Sequence, residues 1–214
     1  NDSSVGCVCG RPVPEETRQD RYGYWANFLF DAAHRMRKKS YVDNDFLSEL
    51  YNNTNVLTEF ATFIQSNSVQ LLIDPFIEFE FLRDIFLPIQ VDNRRKFLSK
   101  DFFTMAPMHQ EQFKIIQVNA MVLSRIYKHK SNNNKSSSSL VDLLLAGRLS
   151  YQGYPLLITG NKKDFPSCIF DTIGVINIEH EGDGEMRVFS IIKFNKDKFE
   201  ACSRALDSLN KMVD

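Results

Sequence analysis

Four short stretches of this 214-residue chain put an acid where a strand ends or a helix begins. In SYVDND (residues 40–45) a short strand runs into the acid–amide–acid set Asp43, Asn44 and Asp45. In DPFIEFE (residues 74–80) a helix start capped by Asp74 carries Glu80 six residues on, among Ile77, Phe79, Phe81 and Leu82. In SLVDLLL (residues 139–145) Asp142 opens an apolar helix. In TGNKKD (residues 159–164) a polar turn carries Thr159, Asn161 and Asp164 directly after the run Leu156, Leu157 and Ile158. A carboxylate set in an apolar helix needs a reason. Carboxylates gathered in one place repel, so they either hold protons at neutral pH or bind a cation. An all-oxygen, hard donor set suits Mg2+ or Mn2+ and not zinc.

The elements that must position these acids are legible around them. Leu156, Leu157 and Ile158 form a continuous apolar run, the pattern of a parallel strand covered on both faces. Residues 69–73 predict a second strand. Asp74 followed by Pro75 is a helix start with Asp as N-cap and Pro at the first helical position. Residues 55–66 predict an amphipathic helix, and residues 88–130 a long helical insertion before Asp142. Residues 173–178 and 186–194 predict two strands joined through the turn signals of HEGDGE (residues 180–185). Residues 196–212 predict a last amphipathic helix, and residues 15–38 an N-terminal one ending in Arg35, Arg37 and Lys38. In an open α/β sheet, ligands lie outside the carboxyl ends of the strands, where Thr159, Asn161 and Asp164 would be delivered.

Asp142 opening an apolar helix, followed by TGNKKDFP after a strand, resembles the carboxy-terminal half of a PIN domain. Such domains begin with a strand leading to an acid, then a hydroxyl residue, then Asn or Asp. Here Asp43 and Asp45 fit the first and third positions, and Asn44 departs from the second. They place the next acid on the helix after the second strand, at the spacing Glu80 shows. The resemblance spans roughly residues 40–178 and implies a metal-dependent ribonuclease. It implies an α/β fold: a three-layer α/β/α sandwich with a central, mainly parallel sheet. To that plan the chain would add an N-terminal arm and helix (residues 1–39) and a C-terminal hairpin and helix (residues 179–214). Metal binding falls by resemblance to Asp43, Glu80 and Asp142, with Asp164 on a second ion or orienting water. Asp45, Thr159 and Asn161 would support the cluster. The cofactor implied is Mg2+ or Mn2+, the substrate RNA. A toxin-like subtype with an antitoxin, another protein partner and a homodimer stay open, as does a catalytically inactive PIN-like RNA-binding or protein-interaction module.

Each of these residues has a plainer reading. Asp43 or Asp45 could cap a helix, Asp142 could be the reciprocal partner of Ser139 in a capping box, and Glu78 is read as solvated or paired. Arg94, Arg95 and Lys96 are read as a solvated face. KHKSNNNKSSSS (residues 128–139) is a polar low-complexity loop that could form a lip over Asp142. A dehalogenase-like phosphatase would use Asp43 and Asp45 as its DxD and Gly182, Asp183 and Gly184 as an acidic loop. Leu47 stands where that motif needs Thr or Val, and no Asn-Asp follows. With a net charge of −1 there is no overall basic field, so RNA contact would need local basic patches. Four cysteines without a zinc-like spacing predict reduced thiols and a cytoplasmic protein, and no run reaches membrane-spanning length or reads as a signal peptide.

Overall fold

The computed structural model describes residues 39–66, 69–130, 138–153, 155–180 and 184–210. The expected N-terminal helix, Cys7, Cys9, Gly182, Asp183 and residues 131–137 of the low-complexity loop lie outside them.

The described residues form six strands and seven α-helices. Strand β1 (Lys39–Val42) leads to helices α1 (Asn44–Asn52) and α2 (Thr54–Ser66). Strand β2 (Gln70–Ile73) leads to α3 (Pro75–Arg83) and α4 (Pro88–Leu98), and then comes the short β3 (Phe103–Met105). Helices α5 (Gln110–Lys130) and α6 (Leu140–Gln152) return the chain to β4 (Leu156–Thr159). A 3-10 turn (Lys162–Asp164), β5 (Phe170–Glu179), β6 (Met186–Phe194) and α7 (Lys196–Asn210) complete it.

The sheet order is β3-β2-β1-β4-β6-β5. β1, β2, β3 and β4 run parallel, and β6 pairs antiparallel with both β4 and β5. The parallel strands are short and mostly apolar because other elements cover them. Tyr41, Val42, Leu71, Ile73, Leu157 and Ile158 are all buried. From β1 the chain steps outward to β2 and β3, then returns to place β4 on the other side of β1. The order therefore reverses between β1 and β4, and a crevice opens there at the carboxyl ends of the strands.

Local signals did much of this work. Asp74 accepts a hydrogen bond from the Phe76 amide at 3.0 Å, with Pro75 at the first helical position of α3. Gly153, at φ 69°, closes α6 in the left-handed conformation that a glycine adopts without penalty. Some expectations give way. Residues 88–130 are not one helical stretch, because β3 interrupts them and joins the sheet edge beside β2. The apolar sequence of α6 predicts a helix buried on most sides, and it is mostly buried, but Leu140 at its start is largely exposed. Arg94 is not on a solvated face. Its guanidinium lies 4.6 Å from the Phe81 ring centroid and 5.5 Å from that of Tyr51, and it donates to the Phe81 carbonyl. The flat cation covers aromatic surface that water would otherwise reach. Arg95 and Lys96 are exposed, as expected.

Arg148 on α6 is a fully buried charge, as is its partner Asp74. It donates to the Tyr41 hydroxyl at 2.9 Å and to the Pro107 carbonyl, and its Nε lies 3.4 Å from Asp74 Oδ2. One side chain thus ties β1, the start of α3 and the loop after β3 to α6.

Candidate functional site

The crevice is floored by the junction of β1 and β4. Asp43 follows β1 directly, with its amide donating to the Ile158 carbonyl at 3.0 Å, which ties it to β4. Its extended backbone makes it the N-cap of α1, and Oδ1 accepts from the Asn44 amide at 2.8 Å. Oδ2 accepts from Thr159 Oγ1 at 2.7 Å. Thr159 Oγ1 in turn accepts from the Asn161 amide at 3.0 Å. The Thr159 hydroxyl is thus the pin between the two strand ends.

Asp45 sits two residues on, in the first turn of α1. Its Oδ1 accepts from the Phe46 amide at 2.7 Å, and its Oδ2 from the Gly160 amide at 2.8 Å. A side chain on Gly160 would press on Asp45 and Phe189. A Cβ on it would lie 2.7 Å from Asp45 Oδ2 and 3.3 Å from the Phe189 ring. Asp142 holds the third position of α6 in a full capping box. Ser139 Oγ donates to its Oδ2 at 2.6 Å, and the Asp142 amide donates back to Ser139 Oγ at 3.1 Å. The capping reading of Asp142 therefore holds, and it leaves part of the carboxyl facing Asp164. Asp164 ends the 3-10 turn and accepts from Asn161 Nδ2. Glu80 projects from α3 with its side chain 16% exposed, 3.8 Å from Arg83.

These acids feel one another. Burial first, then the charges of Asp45 and Asp142, push the Asp43 carboxyl up to about 8. Burial raises Asp45, which also feels Asp142. Burial, then Asp142, raises Glu80, and Asp45 adds to it. Burial, then Asp164, raises Asp142. Five carboxyls from four distant segments therefore share one electrostatic neighbourhood. Their arrangement is two pairs, Asp43 with Asp45 and Asp142 with Asp164, with Glu80 reaching toward Asp142 and Asp45. Among the described residues, no three His, Cys, Asp or Glu side chains lie close enough together to hold one ion as they stand.

Comparison with protein-family models, with curated proteins and with solved structures gave no match.

Sequence reasoning overlooked several groups around these acids. Tyr127 on α5 has a buried hydroxyl with no hydrogen-bond partner, and burial raises its pKa, as do Cys168, Asp164 and Asp142 nearby. Its only signal was one hydroxyl in an otherwise apolar helical face. Glu49 on α1 is buried and pairs with His180 Nδ1 at 2.7 Å and with Arg187 at 3.2 Å, fastening the β5–β6 hairpin beside Asp45. The donor set is all oxygen, and burial first and the neighbouring carboxylates second raise four of the carboxyls, so its chemistry fits Mg2+ or Mn2+. Among the described residues, no helix is long and apolar enough to cross a membrane.

Proposed function

We propose that this chain is a PIN-like, divalent-metal-dependent nuclease that hydrolyses RNA phosphodiester bonds, built as a three-layer α/β/α sandwich. One observation carries the reading: acids from four separate segments converge at the carboxyl edge of a parallel sheet where the strand order reverses. In this reading Asp43, Glu80, Asp142 and Asp164 hold Mg2+ or Mn2+, and Asp45, Thr159 and Asn161 keep them in place. A bound ion would supply a water of lowered pKa and charge stabilisation at the scissile phosphate. The chain's own contribution is positional. Thr159 holds Asp43, Gly160 holds Asp45, and Ser139 holds Asp142 near one another, and the carboxylates would close up further around a cation. No side-chain nucleophile is required.

The arrangement in pairs favours one rival, a catalytically inactive PIN-like module that binds RNA or protein. The two separate in a cleavage assay on single-stranded RNA with Mn2+, with EDTA, and with Asp43→Asn and Asp142→Asn purified in parallel. The nuclease reading expects cleavage that needs the metal and disappears in both variants. Cleavage of equal rate in both variants, or none by the parent protein, overturns it.

A further inference from the structure

Next to the acids lies a cleft of about 570 Å3, within the range of about 300–1,000 Å3 common for ligand sites. One wall is Asp45, Gly160 and Asn161, so the cleft opens directly from the acid cluster. The opposite character comes from Lys162, Lys163 and Arg187. Arg187 is joined to the buried Glu49, which holds it on that wall. The two lysines are exposed, and neither ammonium has a hydrogen bond or ion pair among the described residues. They are placed by the same turn that carries Asp164, so two cations and an acid lie within five residues of β4's end.

We propose that this cleft is the binding track for the sugar–phosphate backbone of a single polynucleotide strand next to the bond to be cut. This rests on the nuclease reading of the acid site. The physical argument is one of opposing fields. A cluster of carboxylates repels a polyanion, so a strand needs a cationic foothold close by before its phosphate can approach them. Lys162 and Lys163 supply point charges for phosphate oxygens, and Arg187 supplies a planar fork. The rest of the lining is Glu49, paired with Arg187, together with Val188 and the buried Phe189, so no exposed aromatic face is offered for stacking a base. Binding in the cleft is therefore expected to follow backbone charge and not base sequence.

The test is fluorescence anisotropy with the full chain, in EDTA, using a labelled short single-stranded oligoribonucleotide. The probes are the parent protein and the double variant Lys162→Ala/Lys163→Ala, whose exposed positions leave the fold intact, as an unchanged thermal midpoint would confirm. The double variant is expected to bind roughly tenfold more weakly at low salt, with the slope of log affinity against log salt shallower by about 1.4 for two lost single-strand phosphate contacts. An unchanged affinity and slope overturns the track, as does no binding by the parent. Competition by a mononucleotide as effective as the oligonucleotide also overturns it, because the site would then serve a small ligand. The two proposals fail separately. Loss of binding in the double variant with no Mn2+-dependent cleavage by the parent leaves the track and removes the nuclease. Metal-dependent cleavage with full binding by the double variant does the reverse.

Discussion

Replacing Asp43 with Asn is expected to stabilise the metal-free protein at high pH and to bring no gain at low pH. The carboxyl lies at about 8 in the folded protein against an ordinary 3.8, with burial as the first cause and the charges of Asp45 and Asp142 behind it. The folded protein thus keeps a proton there that the unfolded chain has already released. Stability from this group is full below pH ~4 and is lost as the pH rises toward 8. A rise of about four units corresponds to about 6 kcal/mol at full ionisation. The repulsion is shared with Asp45, so roughly half of that, ~3 kcal/mol, is a fair expectation for one substitution. Asn keeps an acceptor for the Asn44 amide but turns its NH2 toward Thr159 Oγ1, which already accepts from the Asn161 amide. That mismatch costs about 1 kcal/mol. The net gain near pH 8 is then about 2 kcal/mol, or a rise of roughly 4–8 °C in the thermal midpoint for a chain of this size. Near pH 5 the two effects cancel. Thermal unfolding of both proteins in EDTA, followed by circular dichroism from pH 5 to 9, measures the difference. A variant destabilised by the same amount at every pH would refute the reasoning, because the buried charge would then cost nothing.

Two further outcomes follow from packing. Gly160→Ala puts a methyl 2.7 Å from Asp45 Oδ2, so the variant is expected to fold, to lose about 1–3 kcal/mol in denaturant titration, and to bind Mn2+ more weakly. Arg148→Met strips the buried Asp74 of its cation and the Tyr41 hydroxyl of its donor, and is expected to cost about 3–5 kcal/mol by the same titration.

How much of this was legible in the sequence depended on range. The Asp74–Pro75 start, the Ser139–Asp142 capping box and the buried run Leu156, Leu157 and Ile158 are local, and local chemistry announces them. β3 was not, because a three-residue edge strand is too short to show a period of two. The placement of β6 between β4 and β5 was not either. The hairpin was readable from its turn, but its pairing with β4 is a long-range choice that no short pattern carries. Arg94, Arg148 and Tyr127 were hidden for a different reason. Arg148 and Tyr127 are single polar residues in apolar stripes, and Arg94 sits in a charged run; in either setting the sequence looks the same whether the side chain reaches solvent or is buried against rings and carbonyls. The Asp43–Thr159 hydrogen bond joins residues 116 apart, and only the resemblance pointed toward it.

The central claim is that the converging carboxyls take up a divalent cation, and calorimetric titration of Mn2+ into the metal-free protein tests it most directly. Because Asp43 must give up a proton to become a ligand, the account predicts saturable binding that releases protons and is tighter at pH 8 than at pH 6. Asp142→Asn should abolish it. Absence of binding by the parent protein at both pH values, or binding that the variant retains unchanged, would contradict the account.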